Sequence, residues 1–183
     1  MDTRYPQLGL DDQLCFALYS AFHAVMRAYR PLLADAELTY PQYVVLLALW
    51  ERDGQPATVG ELCARLGLDT GTLTPLLKRL EAAGHVARRR DAGDERRVLV
   101  EVTAEGLALR DSVASVPASL ADCVGLDAVT ASQLRSSLQA LTEALDGGPA
   151  RSERPQPPPP RATETRRRNK AGARPRRSHE GRR

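Results

Sequence analysis

Three cysteines, Cys15, Cys63 and Cys123, are the residues best suited to covalent chemistry, and they lie too far apart to form one local motif. None belongs to a Cys-x-x-Cys pair, and no histidine stands where it would complete a zinc site, so neither a metal nor a cofactor is expected. A secreted disulfide framework fits no better. Widely spaced cysteines in a reducing compartment serve either as small apolar packing residues or as reactive thiols. Cys15 has chemical company, because Tyr19 follows one turn later on the same face of what reads as the first helix. Cys63 sits beside Leu62 and Leu66 and reads as structural.

A reactive role sets requirements. The thiolate is the form that attacks a peroxide, and a free thiol of pKa about 8.5 is roughly 3% thiolate at pH 7. A helix N-terminus supplies up to about 2 kcal/mol, equivalent to about 1.5 pKa units. Asp11 and Asp12 oppose that field, so the sulfur needs further hydrogen-bond donors. Tyr19 is within reach. Tyr29, fourteen residues on, shares the azimuth of Cys15 but lies about 21 Å along the axis. It can serve a thiolate only across an antiparallel contact with a second chain. On residue type alone, each tyrosine is equally well an ordinary half-buried core residue.

The elements that must position these groups are mostly helical. Leu14, Leu18, Phe22, Val25 and Tyr29 recur at helical spacing from about Leu10 to Leu33, with Asp11 as a cap and Pro31 near the end. Thr39-Tyr40-Pro41 opens a second helix running to about Arg52. Thr58 and Glu61 form a capping box for a short helix to Leu66, ended by Gly67. Asp69-Thr70-Gly71-Thr72 opens the next, which tolerates Pro75 and stops at Ala83-Gly84. Two short helices joined by a glycine turn make a helix-turn-helix. His85–Arg90 and Arg97–Thr103 then read as a hairpin, with Val98, Val100 and Val102 alternating. Two further helices are expected, at about Ala104–Cys123 and Ala128–Leu145.

The net charge of +3 conceals two regimes. Residues 147–183 carry 12 Lys+Arg against 3 Asp+Glu, a net of +9, whereas the preceding residues carry 14 against 20, a net of −6. The proline- and arginine-rich tail has no means of building a core and reads as disordered. Its charge is suited to sequence-independent DNA affinity or to nothing beyond solubility. No apolar run approaches membrane-spanning length, and Met1-Asp2-Thr3-Arg4 does not begin a signal peptide, so a cytoplasmic location is expected.

Against the acidic background, a local cationic cluster stands out. The second helix of the helix-turn-helix offers Thr70, Thr72 and Thr74, then Lys78 and Arg79, which suits docking in a major groove. The hairpin adds Arg88, Arg89 and Arg90, then Arg96 and Arg97, which suit phosphates and a narrow minor groove. Asp94 is explicable there if it orients Arg96 through a bidentate pair. The expected fold is mainly α, a winged helix-turn-helix, and the expected partner is double-stranded DNA.

The stretch Leu68-Asp69-Thr70-Gly71-Thr72-Leu73-Thr74-Pro75-Leu76-Leu77-Lys78-Arg79-Leu80-Glu81 and the wing from Arg88 to Arg97 resemble the MarR family of transcriptional regulators. With Leu14-Cys15-Phe16-Ala17-Leu18-Tyr19-Ser20-Ala21, the chain resembles the organic-hydroperoxide-sensing branch, OhrR, from about Leu10 to Leu145. The resemblance implies a homodimeric repressor, not an enzyme, in which residues 1–146 form one domain. Residues 41–103 would bind DNA, while 10–34 and 104–146 form the dimer interface. It further implies that Cys15 senses organic hydroperoxide, supported by Tyr19 and by Tyr29 and Tyr40 from the second subunit. By the same resemblance Cys123, at the end of the fifth expected helix, is the resolving thiol, although a small-molecule thiol capping Cys15 stays open. Two alternatives compete: a regulator responding to a phenolic or lipophilic ligand, and a thiol peroxidase.

Overall fold

The computed structural model describes residues 5–147, so the charged tail from residue 148 onward lies outside the described residues. Seven α-helices and three short strands follow a 3-10 turn at Pro6–Leu8. Contacts divide the chain into two compact units at Ser132.

Helix α1 (Leu14–Leu32) starts later than its apolar pattern predicts, because its cap is Gln13 rather than Asp11. The Gln13 side chain turns back and donates to the carbonyls of Gln7 and Gly9, at 2.8 and 3.0 Å, which ties down the preceding turn. Pro31 does not end α1 but occupies its last turn, where it removes the bond to the carbonyl of Arg27 and only one further residue, Leu32, follows in the helix. None of the nineteen residues of α1 is buried.

Helix α2 (Tyr40–Trp50) is the opposite case, apolar around most of its circumference and set in the middle of the core. Gln42 caps it by accepting the Thr39 N–H at 2.9 Å. Strand β1 (Ala57–Thr58), too short to be read from periodicity, leads into α3 (Val59–Leu66). The Thr58 capping box forms as expected, with Glu61 N–H donating to Thr58 Oγ1 and Thr58 N–H donating to Glu61 Oε2. Gly67, at φ 65°, closes α3 in the left-handed region. Asp69 then caps α4 (Thr70–Ala82), which packs Leu73, Leu76, Leu77 and Leu80 inward.

Strands β2 (Val86–Arg90) and β3 (Val98–Val102) form the expected hairpin, with Arg88 opposite Val100. Strand β1 adds to the free edge of β3, giving the order β1-β3-β2. Beyond the hairpin the single helix expected at 104–123 is two, α5 (Ala104–Val113) and α6 (Val116–Val124). Pro117 has no N–H to offer the carbonyl of Val113, so the helix breaks and restarts with proline in its first turn. Helix α6 packs against α1. Helix α7 (Ala128–Gly147) buries no residue.

The wing is seated on the rest by one tight junction. Thr103 donates its N–H to His85 O and its hydroxyl to Gly84 O, at 3.1 and 2.6 Å. Gly106 follows, so close to His85 that an added Cβ would stand 2.0 Å from its carbonyl oxygen. The Gly106 carbonyl accepts from Trp50 Nε1 at 3.1 Å, which joins α5 to α2.

Candidate functional site

Two groups of residues carry chemistry, and the first is the surface formed by α4 and the wing. A groove of about 440 Å³ between them is lined by Thr70 and Thr74 on one wall and Arg88, Arg96 and Arg97 on the other. These five come from the helix and the wing and share one concavity. Thr72 does not line it: its N–H and hydroxyl both bond to the Asp69 carboxylate at 2.8 Å, so its polar capacity goes largely to capping. Lys78 and Arg79 are exposed further along α4.

The wing arginines differ in how they are held. Arg88 is the most covered, and both its Nε and Nη2 donate to Glu81 Oε2 of α4, which fastens β2 to the helix. That bond holds the Glu81 carboxyl below the usual carboxylate range. Asp94 pairs with Arg96 as expected, but through one oxygen rather than two: Oδ1 accepts Arg96 Nε at 3.2 Å and the Arg96 N–H at 3.1 Å. Arg97 lies 3.8 Å from Asp91, and Arg89 3.6 Å from Glu101. Arg90 donates to the Glu95 carbonyl. Loose, exposed pairs of this kind are worth at most about 1 kcal/mol, so a phosphate competes with them readily. Glu81 meets Arg88 only through the packing of α4 on the wing, whereas Asp91 faces Arg97 across the hairpin itself.

The second group lies along α1 and the start of α2. Cys15 is the second residue of α1, nearer the helix end than its apolar pattern placed it, and it is exposed. Asp11 and Asp12 fall outside the helix, whose first turn contains no acidic residue. Tyr19 is also exposed, and its ring packs on His23, one turn further, with centroids 4.3 Å apart. Cys15, Tyr19 and His23 form a single stripe at intervals of four.

At the far end of α1, Tyr29 meets Tyr40 of α2, with ring centroids 4.5 Å apart, and Tyr43 lies 6.0 Å from Tyr29. Burial, followed by the neighbouring phenols, raises the pKa of Tyr29, and burial with Tyr40 raises that of Tyr43. These phenols therefore stay protonated at neutral pH and keep a proton to donate. Tyr43 is the member that sequence reading passes over, although it follows Tyr40 by one turn. The chain thus brings Tyr29 and Tyr40 together, and Tyr29 stands fourteen residues, about 21 Å of helical rise, beyond its own Cys15.

Cys123 is exposed in the last turn of α6, the sixth helix rather than the fifth. Cys63 packs half-buried against the core with Sγ 3.9 Å from Thr70 Oγ1, as a structural thiol would. A second groove, of about 440 Å³, separates α2 from α5 and α6 and includes Tyr43, Leu47, Trp50 and Arg110. No single helix among the described residues is long and apolar enough to cross a membrane.

Comparison with known proteins places the chain among transcriptional regulators. The family described as Transcriptional regulator SarA/Rot matches residues 27–113. The HTH-type transcriptional regulator TtmR of Methylorubrum extorquens is 48% identical over 80% of this chain and 74% of its own length. The organic hydroperoxide resistance transcriptional regulator of Bacillus subtilis is 38% identical over 79% of this chain and 97% of its own. Among solved structures, reduced AbfR of Staphylococcus epidermidis bound to DNA superposes with a TM-score of 0.65 at 31% identity, covering 80% of this chain and 99% of AbfR. Overoxidised AbfR bound to DNA gives 0.61 at 34% identity, over 75% and 96%.

Proposed function

The chain belongs to the MarR family of transcriptional regulators, and from that premise we propose that it is a redox-sensing repressor that releases its operator when organic hydroperoxide oxidises Cys15. The observation that carries this reading is the division of the sensor. The thiol stands exposed at one end of α1, and the tyrosine pair at the other. A homodimer with antiparallel α1 helices makes one site from the two halves, with Tyr29 and Tyr40 of the second copy donating to the thiolate. The exposed apolar residues of α1, including Leu14 and Phe22, suit burial in such a contact.

In the reduced dimer, each α4 enters a major groove, and each wing meets phosphate through the arginines of its groove. Half-sites one helical turn apart follow from the two-fold symmetry. The Cys15 thiolate attacks the hydroperoxide, the O–O bond breaks, the alkoxide leaves and takes a proton from water, and the sulfur becomes a sulfenic acid. A second thiolate then attacks that sulfur and displaces hydroxide, leaving a disulfide. Cys123 of the other copy is the resolving thiol in this reading, supported by its exposure on a helix packed against α1. A disulfide needs Cα atoms within about 7 Å, so closure moves helices and changes the spacing of the wings.

The test is operator binding by fluorescence anisotropy with stoichiometric cumene hydroperoxide, read beside non-reducing electrophoresis. Loss of binding with a Cys15-dependent crosslink is the expected result. Binding that survives the peroxide, or a Cys15→Ser protein that still responds, overturns the proposal. Catalytic consumption of peroxide with an added reductant, without any change in DNA binding, would favour a peroxidase instead.

A further inference from the structure

Pro75 stands inside α4, and its missing N–H removes the hydrogen bond that a regular helix gives the carbonyl four residues earlier, that of Gly71. The proline ring also crowds that carbonyl and tilts it away from the helix axis. At 3.6 residues per turn, Gly71 and Pro75 lie nearly in line, opposite the stripe of Leu73, Leu76, Leu77 and Leu80 that α4 buries. Both are exposed. Gly71 has no side chain to cover its own peptide, and a Cβ there would stand 2.9 Å from the Asp69 cap. Of its polar neighbours, Thr72 bonds to Asp69, and Thr74 lines the groove towards the wing. The outward face of α4 therefore carries a backbone oxygen that lacks the N–H, four residues on, which a regular helix would give it.

We propose that the Gly71 carbonyl is a specificity-determining group that accepts a hydrogen bond from an exocyclic amino group of the operator, adenine N6 or cytosine N4. A carbonyl can only accept. Guanine and thymine present O6, N7 and O4 at the corresponding edge, all acceptors, and are disfavoured there. Pro75 acts as a positioning residue, since it keeps the carbonyl unpaired. The inference rests on α4 being the helix that enters the major groove, as in the function proposed above.

Selection from randomised duplexes with the full-length protein and with Pro75→Ala tests it. Alanine restores the N–H and suits a helix interior, so the variant closes the bond to Gly71 without weakening the fold. Wild type is expected to select adenine or cytosine at one position of each half-site. Pro75→Ala is expected to lose about tenfold of that preference while selecting the same bases elsewhere. In the duplex selected by wild type, the base at that position is then replaced by its analogue lacking the amino group, purine for adenine or 2-pyrimidinone for cytosine. Wild-type affinity should fall about tenfold and that of Pro75→Ala by less than about twofold. Identical selections, or an equal loss by both proteins, overturn the assignment of Gly71 alone. A wild-type protein that enriches no motif overturns the DNA-binding reading and this inference with it.

Discussion

The segment from α2 to β3 and the helix α1 use similar apolar residues to opposite ends. In the first, Leu46, Leu62, Leu73, Leu77 and Leu80 are essentially inaccessible, and each turn and helix end in the helix-turn-helix is closed by a local bond. In α1, Leu14 and Phe22 remain 65% and 54% exposed although their spacing describes a buried face. The segment from α2 to β3, which we propose binds DNA, closes its core within one chain. Helix α1 has the pattern of a core helix and the exposure of a surface one, which is why we assign its face, and the sensor on it, to a contact between two copies.

The most severe way to break this contrast is at Cys15. Cys15→Ser should leave operator affinity within about twofold and slow the response to cumene hydroperoxide by about two orders of magnitude or more, followed by anisotropy. The next largest effect separates the two regions by stability. Leu77→Ala should cost about 2–5 kcal/mol in denaturant unfolding. Phe22→Ala should change monomer stability by less than about 0.5 kcal/mol yet raise the dimer dissociation constant in sedimentation. Should Phe22→Ala leave self-association untouched, α1 is not the interface.

A sharper version mixes chains. Tyr29→Phe is expected to slow Cys15 oxidation about tenfold, since a hydrogen bond to a thiolate is lost. In heterodimers of Tyr29→Phe with Cys15→Ser chains, the one remaining Cys15 belongs to the Tyr29→Phe copy and faces an intact tyrosine from its partner. Its oxidation should then run at the wild-type rate, whereas slow oxidation would put the tyrosine and the thiol in one chain.

The smallest expected effect concerns acid. Bonds from Thr58, Thr72 and Arg88 lower the pKa values of Glu61, Asp69 and Glu81, all in the DNA-binding part. A lowered carboxylate stabilises the fold above its ordinary range, and that contribution fades as pH falls through the lowered value. Circular dichroism melts between pH 7 and pH 3 should therefore show a shallower acid loss for Glu81→Gln than for wild type. An unchanged acid limb would mean that the Arg88 bond contributes nothing to folding.

Much of the DNA-binding part was legible in the residues themselves. Thr58 and Glu61 announce a capping box, Asp69 a helix start, Gly67 a left-handed stop, and Val98, Val100 and Val102 a strand, because each signal acts within a few residues of itself. The break between α5 and α6 was written in Pro117 but obscured by helix formers on both sides. For the sensor, spacing alone determined that Tyr29 is too far along α1 to serve its own Cys15. Only the tertiary structure decided that Arg88 is tied to Glu81, that Thr70 and Thr74 share a groove with Arg88, Arg96 and Arg97, and that Tyr29 meets Tyr40 and Tyr43. These are contacts between separate elements, and local propensity carries no information about which faces of two helices, or of a helix and a strand, will be pressed together by the burial of leucines elsewhere.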